Sequence, residues 1–210
     1  MTTFKAEFRV IETLGWSPSL GALRLERHLA RMARTCDALG LVFPEARLRA
    51  LVCALTSTVD LRVRLTVDRG GLCALENWPL APTADHWIVA MSDRRLDSSD
   101  HWLGHKTTNR ALYDAARAAL PSGVDELIFL NERGEVCEGT ITNLFVQMGD
   151  TLITPQQSSG LLPGVLRAEL LETGRAREAV LTLPDLRDAD MIFCGNALRG
   201  LIPSSLIRVE

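Results

Sequence analysis

The sequence predicts an α+β protein of two lobes, and three features carry that prediction. Stretches with a 3.6-residue apolar repeat and stretches with strict alternation follow one another along the 210 residues. The alternating run Leu61–Val67 turns at Gly70-Gly71 into a second run, Leu72–Trp78, which reads as an antiparallel hairpin. Residues 77–82 then bring two prolines and little periodicity, so they read as a linker between a small lobe at 1–80 and a larger one at 81–210.

In the first lobe, Phe4 to Thr13 reads as a strand, with Phe8 and Val10 alternating with polar neighbours. Gly15 to Gly21, with Pro18 and two serines, reads as a loop. Leu25, Leu29, Met32, Cys36 and Leu39 then recur at helical spacing until Gly40 stops the run. Arg24, Arg27, Arg31 and Arg34 make a second stripe on that helix, expected to be a solvated face. Arg24 stands apart, because at the helix start its side chain can reach back into a pocket. Pro44 opens a second helix with Leu48, Leu51, Val52 and Leu55 on one face.

In the second lobe, Trp87–Met91 is expected to be a short buried strand and residues 93–101 an irregular polar stretch. Ala111–Leu120 is Ala- and Leu-rich and reads as a helix stopped by Pro121. Glu126–Leu130 and Glu135–Glu138 pair across the turn 131–134, and Leu144–Met148 pairs with Thr151–Thr154 across Gly149-Asp150. Pro163-Gly164 opens a helix through Leu171, and Met191–Cys194 is a late buried strand ending in the turn 195–200.

Composition excludes several classes. With 47% hydrophobic and 23% charged residues and a formal net charge of -3, the chain has an ordinary globular balance and no basic block for nucleic acid. No apolar run is long enough for a bilayer and the N-terminus shows no signal-peptide core, which points to the cytoplasm. The five cysteines lack CxxC spacing and read as buried thiols, and the four histidines make no metal-ligand pattern.

The candidate chemistry centres on Gly104-His105-Lys106-Thr107-Thr108-Asn109-Arg110, just ahead of the Ala-rich helix. An amine near the positive end of a helix is easier to deprotonate, which Schiff-base chemistry needs. Glu138 ends a strand beside Gly139 among apolar strands, where a carboxylate needs a partner to stay ionised. A protonated pyridine nitrogen is one such partner. Ser159–Leu166 places a glycine and free amides at a helix start, a phosphate-binding geometry without the Walker ending. Cys194-Gly195-Asn196-Ala197 ends a strand in small and polar residues, a further phosphate contact.

Taken together, lysine, then Glu138-Gly139-Thr140-Ile141-Thr142-Asn143-Leu144-Phe145, then Leu161-Leu162-Pro163-Gly164-Val165-Leu166-Arg167, then Asn196-Ala197-Leu198-Arg199-Gly200 resemble the class IV aminotransferases. Phe8–Thr13 and Arg24 through His28-Leu29-Ala30-Arg31-Met32 are similar to that family's early strand and helix, so the likeness covers nearly the whole chain. These are the fold-type IV pyridoxal-phosphate enzymes: branched-chain and D-amino-acid aminotransferases and aminodeoxychorismate lyases. The resemblance implies a small N-terminal α/β lobe, shortened at its start, and a C-terminal lobe with a mixed, barrel-like sheet.

The resemblance further implies that Lys106 links covalently to the cofactor and then moves protons. Glu138 would hold the pyridine N–H and make the ring an electron sink. Arg24 would pair with the phosphate, joined by the amides of Val165 and Leu166 and by Asn196 and Ala197. Thr142 and Asn143 match polar positions near the ring, and Arg199 is the candidate for a substrate carboxylate. The chain departs from the family pattern in beginning almost at the early strand. It departs also in carrying its sole tyrosine, Tyr113, on the helix and not a few residues after the lysine.

The expected activity is amino transfer between an amino acid and a 2-oxo acid. The alternatives are pyruvate elimination by 4-amino-4-deoxychorismate lyase chemistry and a non-catalytic relative that binds the cofactor or another ligand; Lys106-Thr107-Thr108-Asn109 resembles the form seen among aminodeoxychorismate lyases and D-amino-acid aminotransferases alike. A homodimer is implied by the family.

Overall fold

The computed structural model describes residues 8–208, so residues 4–7 of the expected first strand lie outside the described part. The chain packs as two units, one running to Pro82 and including His105–Asn109, the other made of Thr83–Gly104 and the chain from Arg110 onward.

The first unit is a four-stranded antiparallel sheet with two helices. Its elements are β1 (Val10–Ser17), β2 (Gly21–Ala22), α1 (Leu25–Ala38), α2 (Glu45–Cys53), β3 (Leu61–Val67) and β4 (Cys73–Pro79), with sheet order β2-β1-β3-β4. The alternation in β3 works as expected: Val63 and Leu65 are buried and join Val10, Leu14, Leu29, Met32, Cys36 and Leu48 in one core. Two boundaries differ from the sequence reading. β1 continues to Ser17, because Gly15 and Trp16 stay in register with Arg62 and Leu61. β4 likewise continues to Pro79, opposite Leu61, so the expected linker is partly strand.

The second unit contains β5 (Trp87–Leu96), α3 (Ala111–Ala118), β6 (Glu126–Asn131), β7 (Val136–Gly139), β8 (Asn143–Met148), β9 (Thr151–Pro155), α4 (Val165–Glu172), β10 (Arg177–Ala179), α5 (Leu183–Asp188), β11 (Met191–Asn196) and β12 (Gly200–Ile207). The sheet order is β10-β9-β8-β11-β12-β5-β6-β7, and β7 pairs again with β8. That second pairing closes β8-β11-β12-β5-β6-β7 into a ring of mixed sense. β5 runs parallel to β12 and β6, while the other joins are antiparallel. β8 offers one edge to β11 and divides the other between β7 and β9. Val89, Ile128, Val136, Leu144, Val146, Ile192, Cys194 and Ile202 make the main apolar cluster. The result is a mixed α/β fold with a barrel-like sheet, as the resemblance implied.

β5 is twice the expected length, and β10, α5 and β12 were not foreseen. β12 contains Pro203, which sits opposite Phe193, and proline obscures a strand in sequence. α5 did carry a start signal: Thr182 and Asp185 form a reciprocal capping box, with proline in the first turn.

Candidate active site

Within the first unit, β1 carries the lysine segment. The Ile11 amide donates to the Lys106 carbonyl (2.9 Å), Val10 bridges Thr107, and the Thr108 amide donates to the Arg9 carbonyl (2.9 Å). The Thr108 hydroxyl accepts from the Arg9 amide at 2.9 Å. Lys106 is therefore half-buried on extended backbone, and α3 is capped only at Arg110. The expectation of a lysine at a helix start gives way to a lysine laid against a strand. By packing, its segment belongs with the first unit and not with the larger one.

Arg24 is the N-cap of α1 and has φ 56°, the only positive φ outside glycine among the described residues. A left-handed conformation costs a side chain about 1 kcal/mol, so the surrounding chain imposes it.

The first unit also holds a buried ion cluster. Glu12, wholly buried on β1, accepts from Arg31 Nε (2.7 Å) and a terminal guanidinium nitrogen (2.6 Å), and pairs with His28 Nδ1 (2.7 Å). Burial alone would raise the Glu12 pKa. The charge and hydrogen bonds of Arg31, with those of His28, outweigh it and hold the carboxyl at about 2. Arg31 is thus a correction to the expected solvated stripe: it is 6% exposed.

Within the second unit, the remaining candidates gather around the hairpin β7–β8. Glu138 is 6% exposed and stands opposite Asn143 in the pair that closes the ring. The Tyr113 hydroxyl donates to Glu138 Oε1 at 2.7 Å. The turn between the strands is built on a second carboxylate, Glu126 of β6, which is wholly buried. It accepts from the Thr140 amide (2.9 Å) and hydroxyl, the Ile141 amide (3.1 Å) and the Thr142 hydroxyl (3.0 Å). Gly139 is needed there, because a Cβ would lie 2.5 Å from Thr142 Oγ1 and 2.8 Å from Glu126.

The same hairpin reaches the proposed phosphate groups. Asn143 Nδ2 donates to the Leu162 carbonyl (2.9 Å), and a side chain at Gly164 would collide with the Asn143 amide oxygen. Gly164 caps α4 with no side chain to accept the first-turn amides, which include those of Val165 and Leu166. Arg167 fastens the helix by donating to the Pro155 carbonyl (2.8 Å) and to Glu178. Asn196 Nδ2 donates to the Ile141 carbonyl (3.3 Å), while its Oδ1 accepts the Leu198 (3.1 Å) and Arg199 (3.0 Å) amides. A Cβ on Gly195 would sit 3.2 Å from Leu166, so the end of β11 lies close against the start of α4. One guanidinium nitrogen of Arg199 donates to Thr83 Oγ1 at 3.2 Å.

Glu138, Thr142, Asn143 and Asn196 thus belong to one bonded neighbourhood of the second unit, which also contains Val165, Leu166 and Ala197, while Lys106 and Arg24 belong to the first. Sequence reasoning missed Tyr113 and Glu126. Tyr113 was set aside as out of place, and Glu126 looked like an ordinary strand start. Burial pushes the Cys36 thiol up to about 11, and those of Cys137 and Cys194 up to about 12. Cys53 is exposed, unlike the buried thiol expected. Among the described residues no cluster could hold a metal and no helix is long and apolar enough to cross a membrane.

A buried carboxylate on a small barrel, next to an uncapped glycine-led helix start, defines a class, and the chain belongs to it: the family model for amino-transferase class IV matches residues 9–207. That family works with pyridoxal phosphate. The chain is similar to a Mesorhizobium loti protein of known crystal structure assigned as an amino-acid aminotransferase, with 42% identity and a TM-score of 0.89 over 95% of this chain and 100% of that one. It is 28% identical to a Schizosaccharomyces pombe protein assigned as an aminodeoxychorismate lyase, covering 87% of this chain and 84% of the relative. It is 27% identical to a Thermotoga maritima protein assigned as a branched-chain-amino-acid aminotransferase, covering 84% and 69%.

Proposed function

We propose that the protein is a pyridoxal-phosphate-dependent aminotransferase that moves an amino group between an amino acid and a 2-oxo acid. The observation that carries transamination is the 42% identity to the Mesorhizobium loti protein along its full length. The cofactor residues alone serve both transfer and elimination, because each begins by taking a proton from the α-carbon.

The residues suit the cofactor. Glu138 is a buried carboxylate that accepts from the Tyr113 hydroxyl, and a ring N–H is a fitting partner for such a group. The α4 start offers amides that no capping side chain takes. When bound, pyridoxal phosphate supplies a carbonyl that condenses with amines and a ring that draws electrons from the bond being broken. Glu138 keeps a proton on the ring nitrogen. Lys106 Nζ would take the substrate's α-proton and hold it for return. Arg24 and the amides of Val165, Leu166 and Ala197 hold the phosphate, with Asn196 shaping the turn that presents them. Asn143 positions the loop before α4, and Thr142 secures the hairpin that carries Glu138. Arg199, whose guanidinium also donates to Thr83 Oγ1, grips a substrate carboxylate. The working unit is a homodimer, which light scattering checks.

The test is optical and covalent. Purified protein incubated with pyridoxal phosphate turns yellow, borohydride fixes the label on Lys106 by peptide mass spectrometry, and an amino donor bleaches the visible band. Retention of the band with every L- and D-amino acid tried rules out the transaminase. The lyase reading has its own support in the Schizosaccharomyces pombe relative; pyruvate released from aminodeoxychorismate with no bleaching by amino acids would establish it instead.

A further inference from the structure

One face of α3 is turned wholly to the hairpin that holds Glu138. Arg110 donates to the Thr140 carbonyl (2.8 Å), Tyr113 to Glu138 Oε1 (2.7 Å), and Arg117 to Thr140 Oγ1 (3.1 Å) while lying 3.6 Å from Glu126. Residues 110, 113 and 117 are spaced to share a helix face. The tyrosine ring is itself held: it meets Phe129 edge-on at 5.3 Å between centroids, and the Arg110 guanidinium lies 5.6 Å over it. A side chain clamped at its ring has one direction in which to point its hydroxyl.

We propose that Tyr113 is a positioning residue for the cofactor-ring carboxylate: its hydroxyl fixes the plane of the Glu138 carboxyl group and keeps that group ionised. The inference rests on the reading of Glu138 as partner of the ring nitrogen. A donor to the charged form stabilises it, and a carboxylate accepts about four hydrogen bonds, so the tyrosine bond orients the group without exhausting it. The charged and titratable groups around this carboxyl include Tyr113 of α3, Arg110 at the α3 N-cap, Cys137 on its own strand, and the Arg117–Glu126 pair across Thr140. The phenol stays protonated there, since burial, with the Glu138 charge and hydrogen bond beside it, pushes its pKa far above the ordinary value. It is a permanent donor.

The experiment measures pyridoxal phosphate affinity of the full chain against pH, from the visible band, for the native protein, Tyr113→Phe, Glu138→Gln and the double variant. Phenylalanine keeps the ring against Phe129. Removing the hydroxyl makes Glu138 easier to protonate, so the acid limb of the affinity profile moves to higher pH, and affinity on the plateau falls about tenfold. In the Glu138→Gln background the second substitution moves nothing further. Packing damage alone would lower affinity at all pH values and leave the limb in place.

Tyr113 is the only tyrosine in the chain, so biosynthetic replacement by fluorotyrosine alters this hydroxyl alone and tests the idea even if Tyr113→Phe folds poorly. The more acidic phenol is a stronger donor, and the acid limb moves to lower pH. Native limbs and affinities in both Tyr113→Phe and the fluorotyrosine protein overturn the proposal while leaving the cofactor reading intact. Failure of the native protein to take up pyridoxal phosphate overturns both.

Discussion

Glu12 shows what a single residue contributes beneath the proposed site. It joins β1, which carries the lysine segment, to α1, whose N-cap is Arg24. Its folded pKa of about 2 lies below the ordinary 4.5, so its contribution to stability is complete above 4.5 and is lost as pH falls through 2. Glu12→Gln removes one partner from a buried pair, which costs about 3 kcal/mol at neutral pH. Denaturant melts of the two proteins should therefore differ most at neutral pH and converge as the buffer is taken below the ordinary carboxylate range. Arg31 marks the limit of reading residues from sequence. Its place in an arginine stripe is visible, but its partner lies on a strand 19 positions away, and no local pattern announces that pairing.

At the scale of elements, the hairpin β7–β8 depends on the contact between Gly139 and the Glu126 carboxylate. Gly139→Ala inserts a methyl 2.5 Å from Thr142 Oγ1 and 2.8 Å from Glu126. Such overpacking costs about 1–3 kcal/mol. A thermal melt of the apoprotein reads that loss, and pyridoxal phosphate affinity should fall with it because Glu138 is the adjacent residue. The hairpin strands themselves were legible, since β-period runs flank short turns at 131–134 and 149–150. α1 was legible for the same kind of reason: Leu25, Leu29, Met32 and Cys36 pack on the sheet as their spacing demands. β1 and β5 were read short because Gly15, Asp93 and their polar neighbours look like loops, whereas pairing with β3 and β6 carries the strands through them.

For the whole molecule, the mixed α/β architecture and its barrel-like sheet followed from motif order more than from any local stretch. Glu138, Gly164 and Asn196 are far apart in sequence, yet a family pattern placed them on one fold before any contact was visible. What the pattern did not carry is the role of Tyr113, because that depends on where α3 sits against β6 and β7, a matter of packing.

The ring of six strands has a clasp. Four of the joins run over four or five residue pairs and β6–β7 over two, but β7 meets β8 through the single pair Glu138–Asn143, backed by the Gly139 amide on the Thr142 carbonyl at 2.8 Å. Amide exchange at Gly139 should thus be fast for so interior a position and should slow once pyridoxal phosphate is present, while Val146, seated between β9 and β11, changes little. On the proposed reading of Glu138, a coenzyme gripped at that point would do for the ring what a pin does for a buckle: chemistry and mechanical closure would be the same event.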